Sequence, residues 1–222
     1  MLATIFLMLC WGAPHSESFL DKEISYTQVR RLIQFEGREE VLKKMGPTAY
    51  KHLRDIMMAP QEEVEDRWRA TLALAKIGGE DSIADLNSAL NHSEWFMRSA
   101  GLLALSLAKR DVAESRAKDI LHNDPALLVR STALQILAQK KTVDKDLLWA
   151  ELYNPINFSH GKGLPLRLSI LKVLEQNVTA ADIPKWTALM RENNSEIQTI
   201  AKASLAKIYA DKSAQGTKVS SR

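Results

Sequence analysis

Five stretches of the chain fall into register when Arg67, Arg98, Arg130, Arg167 and Gln198 are set as position zero. Seven residues on, each carries a leucine: Leu74, Leu105, Leu137, Leu174 and Leu205. Three residues on, four of them carry a small residue (Ala70, Gly101, Ala133, Ala201), with Ile170 as the exception. Offsets of three and seven lie on one face of an α-helix, so this face is read as core. The small residue lets a neighbouring helix approach closely, and the leucine fills the groove between helices. Spacings of 31, 32, 37 and 31 residues mark an internal repeat rather than five unrelated helices.

Each of these helices is preceded by a shorter amphipathic segment, at 47–58, 80–90, 111–121, 144–153 and 180–190. Turn residues separate the two, as in "GGED", "NHS", "HNDP" and "ENNS". Pro47 and Pro125 suit first-turn positions, and Asp81, Ser93, Asp124 and Ser195 suit N-caps. The pattern predicts an all-α solenoid of about five helix pairs over 47–210, with a helical cap over 19–46 that covers the terminal apolar face. No strand is expected, because β-branched residues are scattered rather than alternating. Residues 211–222 lack apolar periodicity and are read as a disordered tail.

At the other end, Leu2 to Trp11 is apolar and then gives way to small and polar residues. Roughly ten apolar residues are too few to span a bilayer and match the h-region of an export signal. Residues 1–18 are therefore assigned to a signal or membrane-targeting segment, although no Lys or Arg precedes the apolar run. Cys10 is the single cysteine, within "LMLC". Two readings stay open for it: lipid attachment as in bacterial lipoproteins, or removal with the leader. The location expected is exported, periplasmic or secreted.

The repeat resembles HEAT repeats, including the bacterial HEAT-like variety named after phycobilisome lyases. Asp124, Pro125, Val129, Arg130, Ala133 and Leu137 carry the resemblance, which covers most of 47–210. It implies a right-handed solenoid in which a turn aspartate and a second-helix arginine form a ladder between units. The ladder residues would be Arg67, Arg98, Asp124, Arg130 and Arg167. Only Arg130 has an aspartate six residues before it; Gln61, His92 and Gly161 stand in the other places, where the arginines are expected to cap turn carbonyls instead. Asp124 is the expected partner of Arg130. Four cations in first helical turns, where the helix dipole disfavours them, point to a structural role rather than to a ligand site.

The resemblance also implies that second helices line a concave face where protein ligands bind. Offsets of two, five and nine point away from the core. They place Arg69, Leu72, Lys76, Leu103, Leu107, Gln135, Gln139, Lys172, Gln176 and Lys207 on that face. This is either a protein- or peptide-binding surface or an ordinary solvated one. The longest spacing marks an insertion at 154–165 that carries Ile156, Phe158, His160 and Lys162, read either as a binding loop or as drift.

Chemistry is sparse. No His-Glu pair exists among five histidines, so the iron-binding arrangement of the HEAT-type hydroxylases is missing. Gly161-Lys162-Gly163 lacks the rest of a phosphate-binding loop. No catalytic residue, metal site or cofactor is expected. Formal charge of +3 and a pI near 8.9 argue against a dedicated nucleic-acid binder. The expected function is a non-catalytic protein-interaction scaffold. The alternatives are a nucleic-acid-binding solenoid, or an accessory subunit or enzyme of the HEAT-like lyase type.

Overall fold

A computed structural model describes residues 25–35, 37–139 and 143–219, with side chains described as far as 211. The proposed leader, Cys10, the start of the cap and the last three residues lie outside the described residues.

Two short helices, α1 (Tyr26–Leu32) and α2 (Glu39–Lys44), precede the repeats. Ser25 opens α1 with a capping box, accepting from the Gln28 N–H while the Gln28 side chain accepts from the Ser25 N–H. The helix pairs follow as α3 (Gly46–Met58) with α4 (Val64–Gly78), α5 (Ile83–Leu90) with α6 (Trp95–Ala108), and α7 (Arg110–Asn123) with α8 (Leu127–Ala138). Two further pairs are α9 (Lys145–Leu152) with α10 (Pro165–Glu175), and α11 (Ile183–Leu189) with α12 (Ser195–Val219). Within each pair the two helices pack on each other, and the second helices stack in chain order from α4 to α12. The architecture is that of an all-α HEAT-like solenoid.

The repeat face is the core. Leu74, Leu105, Leu137 and Leu174 are buried, as are Ala70, Gly101, Ala133, Ile170 and Ala201; Leu205, in the last unit, is partly covered. Each buried leucine contributes about 1.5–3 kcal/mol by removal from water. The small residue does what its position predicts. A Cβ placed on Gly101 would lie 2.9 Å from the Ala89 Cβ and 3.0 Å from the Leu90 nitrogen, so α5 and α6 touch nearly backbone to backbone. In the last two units Trp149 and Trp186 meet edge to face at 5.0 Å inside the core.

Several details differ from the sequence reading, beginning with Asp81, which lies inside a short 3-10 turn (Gly79–Ser82) while Ser82 holds the N-cap position of α5. Asn194, not Ser195, caps α12, its Oδ1 accepting from the N–H groups of Glu196 and Ile197. Glu94 rather than Ser93 holds the N-cap position of α6, and Pro125 precedes the first turn of α8 instead of entering it. The insertion holds a small hairpin, β1 (Phe158–Ser159) and β2 (Lys162–Gly163), paired antiparallel. Its turn needs positive φ at two consecutive residues, and His160 (50°) and Gly161 (74°) supply it. Two-residue strands are too short to show alternation in a sequence. Finally, α12 runs to Val219, into the stretch read as a disordered tail. "DKSAQGTKV" lacks an apolar stripe, but most of its residues are fair helix formers, so the backbone continues a helix already nucleated upstream.

Candidate functional site

The arginines at position zero come first, because they are the charged groups the repeat buries. Arg67, Arg130 and Arg167 are almost fully covered, and Arg98 is mostly so. A guanidinium taken out of water demands partners for its donors. Each arginine finds one set in its own unit. Arg67 Nε donates to the Met57 carbonyl at 3.1 Å, and Arg167 Nε to the Leu152 carbonyl at 2.9 Å. Arg98 Nη1 reaches the His92 and Ser93 carbonyls, and Arg130 Nη1 the Asp124 carbonyl at 2.6 Å. Gln198 does the same with a neutral amide, Nε2 donating to the Glu192 carbonyl at 2.9 Å.

The second set comes from the next unit. Arg67 pairs with Glu94 at 2.6 Å. Arg98 grips Asp124 with two bonds, at 2.7 and 2.9 Å, and Arg167 grips Glu192 at 2.8 and 3.1 Å. The acidic half of the ladder thus lies 25 to 27 residues downstream of each arginine. This corrects the sequence reading, which sought it six residues upstream. Asp124 meets Arg130 through its backbone carbonyl, while its carboxylate serves Arg98 and accepts the Ala126 N–H at 2.8 Å. The bond to Asp124 raises the proton affinity of Arg98 against the opposing effect of burial. The cap joins the series through Arg30, whose Nε lies 2.8 Å from both Glu62 and Asp66.

Arg130 is the exception. Its partner in the next unit is the Ile156 carbonyl at 3.1 Å, supplied by the insertion, and its Nε has no hydrogen-bond partner. Burial lowers its proton affinity, and the charges of Asp124 and Glu151 offset part of that loss. Around it the joint is completed by other groups. The buried Glu151 carboxylate meets His122 Nδ1 at 2.6 Å and accepts from Asn154 Nδ2 at 2.9 Å. The hairpin braces the following joint as well. Phe158 lies under the Arg167 guanidinium at 4.4 Å, and a Cβ on Gly163 would lie 2.7 Å from Arg167 Nη1. Ile156 and Phe158 are therefore structural, whereas His160 and Lys162 face solvent.

The outward residues of the second helices sit as follows. Leu107 is 53% exposed, Leu103 partly so, and Gln135, Gln139 and Gln176 are exposed. The three lysines of this face are engaged across neighbouring elements: Lys76 with Glu39, Lys207 with Glu175 at 2.9 Å, and Lys172 with Glu196 at 3.9 Å. The contact with Lys76 holds the Glu39 carboxyl below its ordinary range. Arg69 pairs with Glu65 at 2.6 Å, and Gln139 accepts from Arg110 at 3.2 Å. Exposed pairs of this kind stabilise by at most about 1 kcal/mol, so a ligand can compete for them. Arg69, Leu72 and Lys76 also line a hollow of about 210 Å³ against the cap, a feature invisible in the repeat pattern because the cap supplies its other wall.

Among the described residues no group of three His, Cys, Asp or Glu side chains is placed to hold a metal ion, and no helix is long and apolar enough to cross a membrane. A family model described as HEAT repeats matches residues 47–138. No curated protein and no solved structure matches the chain. Residues 47–138 are therefore HEAT repeats, and the helix pairs and arginine joints on either side of them continue the same HEAT-like solenoid.

Proposed function

We propose that the chain is an exported, non-catalytic scaffold that binds a protein or peptide on the outward face of its second helices. HEAT repeats point to protein interaction. The observation that carries the choice of face is Leu107, a leucine left 53% exposed one turn from the partly exposed Leu103 on α6, with Gln135 and Gln139 exposed on the next second helix. Apolar surface with a polar rim is the usual make-up of a protein-binding patch. The non-catalytic reading is supported by the fate of the buried charges: Asp66, Arg67, Asp124 and Arg167 are committed to joints between units. Export rests on the apolar run from Leu2 to Trp11, with Cys10 either lipidated or removed.

A photo-crosslinking amino acid placed in cells at Leu107 or Gln135 tests the face. It should trap a discrete protein species, whereas the same group at Ser88 or Ser115 on the first helices should not. Crosslinks confined to Ser88 and Ser115 would refute the assignment. Intact mass after cell fractionation tests export. A mature chain shortened at its N-terminus, or carrying acyl mass on Cys10, supports it; an unprocessed cytosolic chain contradicts it.

A further inference from the structure

Between the cap and α4 the second-helix face forms a hollow on the scale of a side chain. Leu32, Leu42 and Leu72 form its apolar lining, and Phe35 stands at its edge with 63% of its surface exposed. At about 210 Å³ it falls below the 300–1,000 Å³ typical of pockets for whole small molecules, and suits one bulky apolar side chain. Its charged lining is unbalanced. Among the described residues that line it, Arg38, Arg69 and Lys76 face one carboxylate, Glu39, which Lys76 already engages. Arg38 has no ion-pair partner among the described residues, and the pair between Arg69 and Glu65 is exposed.

We propose that this hollow is the anchoring subsite of the binding face, taking an acidic peptide segment with a bulky apolar residue. The apolar side chain enters between Leu32, Leu72 and Phe35, and flanking carboxylates meet Arg38 and Arg69. Arginine at both positions favours two-pronged hydrogen bonding to carboxylates, and the apolar floor excludes water from the anchor. A basic segment is rejected by the three cations. Two larger hollows differ: in one of about 490 Å³ between α5 and α7, Arg98 and Asp124 neutralise each other as a joint, and one of about 450 Å³ between α3 and α4 is lined by Lys43 against Asp81 and Asp85. This inference rests on the proposed binding face and narrows it to one end and one ligand chemistry.

A phage-displayed library of random dodecapeptides panned on the full chain tests it, followed by fluorescence anisotropy with the selected peptides. The selected sequences should share Leu, Ile, Met or Phe with Asp or Glu within about three positions, and raising the salt should weaken binding. Phe35→Ser and Arg38→Glu change exposed side chains, so they should leave helicity intact while weakening binding by about tenfold or more. Peptides without that pattern, or affinities unchanged in both variants, would overturn the proposal. Binding that survives both variants but is lost in Leu107→Asp overturns the subsite while leaving the face in place. Binding indifferent to all three variants overturns the subsite and the face together.

Discussion

Replacing Arg98 by Met and Asp124 by Asn, singly and together, measures what a joint between units contributes. Arg98 holds Asp124 through two bonds at 2.7 and 2.9 Å, and its remaining donor covers the His92 and Ser93 carbonyls. Methionine keeps much of the packing but leaves a nearly buried carboxylate with one N–H partner, that of Ala126. Breaking a buried pair costs about 3–5 kcal/mol; with 14% of the Arg98 side chain still in water, a loss of about 2–4 kcal/mol is expected. Asp124→Asn is milder. Its Oδ1 still accepts from Ala126, and Arg98 keeps two carbonyls, so about 1–3 kcal/mol is expected. The two losses must not add. Once either partner is gone the other has little left to lose, giving a coupling of about 1.5–3 kcal/mol. Urea unfolding followed by circular dichroism and tryptophan fluorescence reads all four proteins, and urea leaves the charges unscreened. Where the array unfolds in stages, the coupling belongs to the stage that separates α6 from α7 and α8. Additive losses, with a coupling under about 0.5 kcal/mol, would show that the arginines do not join the units.

Three further outcomes follow from the packing. Gly101→Ala drives a methyl to 2.9 Å from Ala89 and should cost about 1–3 kcal/mol in urea, with partial recovery when Ala89 is also made Gly; no loss would mean that α5 and α6 are not in close contact. Gly163→Ala pushes against Arg167 Nη1, and Phe158→Ala removes the ring beneath that guanidinium. Each should lower the melting temperature, and the double variant should lose less than the sum. Burial alone would raise the Asp182 carboxyl, but the Lys145 ammonium and the Thr179 N–H and O–H outweigh it and hold the group below its ordinary value of 3.8. A depressed folded-state pKa gives stability that is complete above the ordinary aspartate range and drains away as pH falls through the lower folded value. The stability difference between the native chain and Lys145→Met should therefore stay constant from pH 7 to about 4.5 and shrink below about 4. A difference that does not change with acidification would refute the assignment.

The five-copy pattern made the helix pairs and the core face legible, because a 3.6-residue period survives drift at single positions. The ladder was legible only by half. The arginines recur in register, but their acidic partners come from three residue choices, Glu94, Asp124 and Glu192, in turns of different length. A search one unit downstream, rather than within the same turn, would have found them. The role of the insertion was not legible at all. It works through a main-chain carbonyl at Ile156 and a ring face at Phe158, neither of which leaves a mark in residue type. The hollow beside Phe35 escaped for a related reason: half of it lies in the cap, outside the repeat.

Hydrogen exchange by mass spectrometry, on the full chain with and without a selected peptide, tests most directly the claim that arginines join the units while the second helices do the binding. Slower exchange in α4, α6 and α8, with α3, α5 and α7 unchanged, is the predicted result. Slower exchange along α5 and α7, with the second helices unaffected, would contradict it.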